Sequence, residues 1–185
     1  MPESDLIEGA GFSADGPLST RLETIPDTVA PNLKALVCGL NPGKISADLG
    51  LSFARNGNRF WPAALASGLV STDREPDRAL LHAGVGFTDL AKRTTTRADE
   101  INEAEFRSGA SRVERLVRWL EPQVLVMVGL TGWRHAVDRK AAAGWQVEPF
   151  GGRPVYLMPN TSGLNAHETR ESLTAHLENA QAGPV

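Results

Sequence analysis

Leu33-Lys34-Ala35-Leu36-Val37-Cys38-Gly39-Leu40, followed at once by Asn41-Pro42-Gly43, decides how the rest of this sequence is read. Apart from Lys34 the run is apolar and short enough for a buried strand, and the Asn-Pro-Gly turn stops it. Strands apolar along their whole length belong to parallel sheets covered on both faces, so helices are expected on either side. Outward from this strand the pattern repeats. Val85 to Leu90 reads as a second strand, Val124 to Val128 as a third and Pro154 to Leu157 as a last one. Between them lie helical stretches. Asn58 to Leu69 places Phe60, Trp61, Leu65 and Leu69 at helical spacing, with Asn58 as a cap and Pro62 in the first turn. A short piece follows from Asp77 to His82, and then a helix with Val113, Leu116, Val117 and Leu120 on one face that ends before Pro122. Thr131 to Ala143 and His167 to Ala180 complete the set. This alternation predicts an α/β fold, a three-layer α/β/α sandwich around a mostly parallel sheet. In such sheets ligands bind beyond the carboxyl ends of the strands.

A chain of 185 residues, 41% hydrophobic and 22% charged, has the size and mixture of one globular domain. No apolar run approaches the roughly 20 residues of a spanning helix. Glu3, Asp5, Glu8 and Asp15 stand where a secretory leader needs a basic start and an apolar stretch, so the protein is expected in the cytoplasm or on the nucleoid, without a membrane. A single cysteine, Cys38, makes neither an internal disulfide nor a thiolate metal centre and reads as a small buried apolar residue.

The net charge is −3, from 19 basic and 22 acidic side chains, but its distribution matters more than its sum. Residues 1–31 hold six acids and one base, whereas the remaining 154 hold 18 bases and 16 acids. Residues 1–27 mix Gly, Ser, Pro and acids without periodicity, which predicts a loose acidic arm ahead of a mildly basic domain over 28–185. Lys92, Arg93, Arg97, Arg107, Arg112, Arg115 and Arg118 crowd one stretch. Acids are interleaved among them, and Glu114 with Arg118 has i,i+4 spacing, so a solvated helix face explains that stretch without a ligand.

Three segments at strand ends should open on one crevice: Gly39 to Gly43, Gly86 to Asp89, and Met158 to Asn165. The first lacks both the glycine spacing of a dinucleotide site and the Gly-Lys-Ser/Thr of a P-loop. In Asn41-Pro42-Gly43 the proline fixes φ, the glycine admits a close ligand, and the Asn amide offers both a donor and an acceptor. On local grounds a structural Asx-turn explains the Asn equally well.

Together, Gly39-Leu40-Asn41-Pro42-Gly43, Phe53 twelve residues after Asn41, Asn58-Arg59-Phe60-Trp61, and Met158-Pro159-Asn160-Thr161-Ser162-Gly163-Leu164 carry a family likeness. In order and separation they resemble the mismatch-specific uracil and thymine DNA glycosylases, the Mug/TDG branch of the uracil-DNA glycosylase superfamily. The similarity runs from about Thr24 to near Glu178. It implies a monofunctional DNA repair enzyme acting on double-stranded DNA that holds a mispaired or damaged base. Such an enzyme flips uracil, or more weakly thymine or another damaged pyrimidine, out of a G·U or G·T mismatch and hydrolyses its N-glycosidic bond to leave an abasic site. No metal or organic cofactor and no catalytic lysine is implied, and a monomer is expected.

By the same resemblance Asn41 positions the attacking water. Phe53 stacks on the extruded base unless it is a plain core aromatic. The backbone near Leu40 and Gly43, with Ser46, reads the base edge. Asp89 either orients or partly activates the water, or is a structural acid that pairs with Lys92 or Arg93 or caps the following turn. Asn160 stands where other superfamily members carry a histidine, which implies modest turnover. Ser162, Gly163, Leu164 and Asn165 form a wedge, with Leu164 inserted into the stack and main-chain groups of Gly163 and Asn165 facing the widowed guanine, unless Leu164 merely packs. Lys44, Arg55 and Arg59 are expected on phosphates. The alternative is a catalytically silent nucleobase-binding or nucleic-acid-binding module of the same fold. An acyl hydrolase using Ser162 and His167 lacks the Gly-x-Ser-x-Gly elbow.

Overall fold

The computed structural model describes residues 24–184. Strands β1 (Ala35–Gly39), β2 (Val85–Asp89) and β3 (Val124–Val128) run parallel, β4 (Gly144–Trp145) is antiparallel, and β5 (Val155–Met158) is again parallel. The sheet order is β2-β1-β3-β5-β4. The chain therefore leaves β1 to one side, then crosses to the other, and this reversal opens a crevice at the strands' carboxyl ends.

Alternation along the strands divides the core in two. Leu36, Cys38, Leu125, Met127, Val155 and Leu157 face one side; Val37, Phe87, Val126, Tyr156 and Met158 face the other. The helices are α1 (Lys44–Leu49), α2 (Phe60–Ala66), α3 (Pro76–Arg78, running into a π-helical turn at Ala79–Ala83), α4 (Glu103–Leu120), α5 (Leu130–Ala136) and α6 (Arg170–Ala182). Phe60, Trp61 and Ala64 of α2 join Leu173 and Leu177 of α6 on one face, and Phe106, Val113, Leu116 and Leu120 of α4 join Trp133 of α5 on the other. This is the expected three-layer sandwich, and burial holds the Cys38 thiol protonated inside it. Arg107 and Arg118 pair with Glu103 and Glu114 along the solvent side of α4, as the charge pattern predicts. Arg112 instead turns inward.

Several boundaries differ from expectation. The stretch 58–69 is helical only over Phe60–Ala66, because Asn58 Oδ1 accepts the Phe60 N–H at 2.9 Å and Gly68 turns away at φ 70°. Leu65, expected on the apolar face, is exposed. The helix expected over 131–143 stops at Ala136. There Val137 leaves helical geometry at φ −124°, and Asp138 Oδ1 accepts the Lys140 N–H at 2.9 Å to form a turn. The chain then makes β4, two residues too short to leave a pattern. The closing helix begins at Arg170, where Thr169 Oγ1 accepts the Ser172 N–H at 3.1 Å and Ser172 Oγ accepts the Thr169 N–H at 3.0 Å. α1 lies between the first strand and the 58–69 stretch, where no helix is expected.

The folded body also starts earlier than residue 28. Thr24 and Ile25 are buried, and Asp27 sits between Lys92 at 2.8 Å and Arg112 at 2.7 Å, with the Thr88 hydroxyl donating to it at 2.7 Å. Both cations hold its carboxyl below the usual range against the opposing effect of burial. A buried acid is tolerated only when its oxygens are satisfied in this way. Thr28 then bridges Phe87 in both directions, at 3.0 and 2.8 Å, covering the free edge of β2. Residues 1–23 of the expected arm lie outside the described residues. Among the described residues no helix is long and apolar enough to cross a membrane.

Candidate active site

The loops after β1, β2, β3 and β5 all open on one crevice of about 800 Å³, bordered by Leu40, Asn41, Gly43, Phe53, Thr95, His135, Asn160, Ser162, Leu164 and Asn165 among others. Beside it lies a smaller recess of about 150 Å³, which Gly39, Asn41, Gly43, Ser46, Phe53, Arg55 and Asp89 share with Ile25. Another cavity of about 440 Å³, lined by Lys34, His82, Trp145 and Leu177, sits at the opposite end of the strands and holds none of these side chains.

Asn41 is half-buried and its amide is pinned. Nδ2 donates to Thr95 Oγ1 at 2.8 Å, to the Arg93 carbonyl at 3.1 Å and to the Pro42 carbonyl at 3.1 Å. Carbonyl oxygens only accept, so the NH₂ must face them, and Oδ1 is left as the open acceptor. Thr95 Oγ1 in turn donates to the Arg97 carbonyl at 2.7 Å, which fixes its lone pairs toward Asn41. The Asx-turn account of Asn41 is thus incomplete, because two of its three partners lie more than fifty residues away. The loops after β1 and β2 run side by side to bring them there, with Leu90, Ala91 and Thr95 donating to the carbonyls of Gly39, Leu40 and Pro42. Arg93 is held in its turn by Glu105, at 2.7 and 3.0 Å, and Glu105 also closes the capping box of α4 with Asn102.

Asp89 ends β2 in register with Gly39. A Cβ at residue 39 would stand 2.4 Å from Asp89 Oδ1, so this glycine makes room for the carboxylate beside the recess. The expected ion pairing with Lys92 or Arg93 is not formed: Lys92 is taken by Asp27 and Arg93 by Glu105. Burial pushes the Asp89 carboxyl up to about 6, against the opposing pull of Lys92 and Arg112, while the charge of Asp27 adds to the rise.

Phe53 stacks on Phe60 with ring centroids 4.2 Å apart and also borders the recess. Its φ of 59° is an outlier for a bulky residue and costs about 1–3 kcal/mol, a strain that the surroundings must hold. Part of that hold comes from Ser46, whose Oγ accepts the Ala54 N–H at 3.1 Å. Ser46 therefore shapes the aromatic turn as well as lining the recess.

Leu164 is 77% exposed at the tip of its loop. Asn160 Oδ1 accepts the Ser162 N–H at 3.2 Å, and Ser162 Oγ accepts the Leu164 N–H at 3.2 Å, so both side chains build the turn beneath it. Asn165 is consumed by the loop: its N–H donates to the Ser162 carbonyl at 2.9 Å, and its carbonyl accepts from Arg59 at 2.6 Å. Its main-chain N–H is therefore not free, contrary to expectation, while its carbonyl keeps a second lone pair. Arg59 departs further. Its guanidinium donates to the carbonyls of Ser162, Asn165 and Glu168, which leaves no free fork for a phosphate. Lys44 and Arg55 are exposed, and Arg55 borders the recess.

Asn58, expected as a cap, also borders both cavities, whereas neither Thr95 nor His135, which stacks on Phe106 at 5.8 Å and borders the crevice, is expected at the site. The three threonines 94–96 after the second strand were the available hint. Among the described residues no three His, Cys, Asp or Glu side chains gather to hold a metal.

The family model for the uracil DNA glycosylase superfamily matches residues 26–181. Among solved structures, the solution structure of a candidate uracil DNA glycosylase from Methanosarcina acetivorans is similar at a TM-score of 0.58 and 18% identity. The match covers 88% of this chain and 99% of that one, and at this identity it speaks for the fold alone.

Proposed function

The chain belongs to the uracil DNA glycosylase superfamily, and on that footing we propose that it is a monofunctional, mismatch-directed enzyme releasing uracil from G·U pairs in double-stranded DNA. Thymine and other damaged pyrimidines are weaker substrates. The observation that carries this reading is the meeting of Asn41, Asp89 and Phe53 on one recess of about 150 Å³, beside the crevice that Leu164 borders. The protein acts as a monomer inside the cell, without a cofactor.

A mismatched base is already poorly paired, so extruding it takes less of the few kcal/mol that a matched base demands. Leu164 fills the vacated stack, as apolar wedges do. Phe53 takes the base against its ring, while backbone near Leu40 and Gly43 reads its edge. Lys44 and Arg55 meet phosphates. Asn41 Oδ1 accepts from the water that attacks the sugar. A carboxamide has no useful basicity, so bond breaking must run ahead of attack, through a sugar cation like that of glycoside hydrolysis. Donors around the departing base stabilise its charge as an oxyanion hole does. Asp89, ionised above pH 6, assists by orienting the water and by its charge near the cation.

The rate therefore follows leaving-group quality. Single-turnover assays on G·U and G·T duplexes should show uracil leaving faster than thymine, and equal rates would refute a departure-driven mechanism. Duplex binding without alkali-labile sites would identify the silent module instead.

A further inference from the structure

Arg59 gathers main-chain carbonyls from both sides of Leu164. Nη2 donates to Ser162 at 2.7 Å and to Asn165 at 2.6 Å, Nη1 reaches Glu168, and the main-chain N–H donates to Thr161 at 2.9 Å. Beside these bonds Gly163 lies so close to Gly57 that a Cβ would stand 2.6 Å from the Gly57 carbonyl oxygen. The next residue, Phe60, carries the stacked ring of Phe53. Two successive residues thus hold the loop tip and the recess aromatic. An exposed tip buries little that could fix it, so these bonds set its shape.

We propose that Arg59 is a positioning residue for base extrusion: it holds the 161–168 loop so that Leu164 is presented in fixed relation to Phe53. This rests on reading the crevice as a base-flipping site. Lysine could not replace it, because one ammonium on a flexible stem lacks the planar fork that spans several carbonyls. A phosphate contact, by contrast, would tolerate lysine.

The test compares wild type with Arg59→Lys and with Gly57→Ala, which strains the backbone packed against the same loop, at φ 80°, without touching a charge. Three quantities are read: hydrogen exchange of the 161–168 amides in DNA-free protein, the salt dependence of G·U duplex affinity, and single-turnover uracil release. Release is measured from G·U and from a duplex in which uracil faces a stable abasic analogue. Both variants should exchange the loop about tenfold faster. Each should lose about tenfold or more on G·U but less than about threefold on the unopposed uracil, because a misplaced positioning element hurts only the step that needs it. The salt slope should stay unchanged. Wild-type loop protection and G·U rate in Arg59→Lys would overturn the proposal. So would a salt slope in Arg59→Lys that flattens by about one phosphate's worth of counterion release. Wild-type protein that releases no uracil would refute the glycosylase reading, while the exchange measurement would still decide the loop.

Discussion

Replacing Asp89 with Asn should make this protein more stable at neutral pH and a poorer catalyst. The carboxyl is buried beside Gly39, its neighbouring cations are taken by other acids, and its folded value is about 6 against an ordinary 3.8. The folded state therefore keeps this proton to higher pH than the unfolded chain does. Stability from the neutral acid is complete below the unfolded value and is lost as pH rises through about 6. A displacement from 3.8 to about 6 corresponds to about 3 kcal/mol against folding once the group is ionised, at about 1.4 kcal/mol per pH unit. Asparagine has nearly the same shape and no charge, so it removes that penalty. For a chain of this size, 3 kcal/mol is roughly 6–12 °C in thermal midpoint. Urea titrations of both proteins from pH 4 to pH 8 read the effect. The variant's advantage should be near zero at pH 4 and approach about 3 kcal/mol at pH 8. Asp27, whose value is depressed, stays ionised in the folded protein between pH 4 and pH 8 and so adds little to the change over this range. Equal stability at pH 8, or an advantage independent of pH, would refute the argument.

The same group should govern the pH profile of catalysis. Uracil release under single-turnover conditions should rise about tenfold per pH unit below about 6 and level off above it, as one ionising carboxylate requires, and this inflection should vanish in Asp89→Asn. Thr95→Val keeps the shape of the side chain but removes the acceptor at 2.8 Å from Asn41 Nδ2, so release should slow about tenfold, the worth of one hydrogen bond. An unchanged rate would take Thr95 out of the site.

The four parallel strands are legible as short, mostly apolar runs between turn signals, and their carboxyl ends point to Asn41 and Asp89, whereas the two residues of β4 leave no pattern. Family likeness added Phe53 and Leu164. What could not be read was set by contacts distant along the chain. Thr95 reaches Asn41 across 54 residues, through a loop pairing that leaves no periodic trace. Arg59 was read from its charge alone as a phosphate ligand, whereas carbonyls more than a hundred residues later take up its fork. Asp27 differs for a similar reason: it ends an acidic segment without apolar periodicity, which argues for a solvated arm, and only Lys92 and Arg112 in space show why it is buried. Leu65 fits the spacing from Trp61 yet is exposed, because α2 buries the face that carries Phe60, Trp61, Ala63 and Ala64.

The most direct measurement is alkali cleavage of a labelled G·U duplex after incubation with wild-type protein and with Asn41→Ala. Wild type should produce breaks at the uracil and none at a matched cytosine, and the alanine variant should bind the duplex yet lose about two orders of magnitude in rate, as expected when a group that places the nucleophile is removed. A wild-type protein that leaves the duplex intact, or an Asn41→Ala variant that cleaves as fast, would contradict the account.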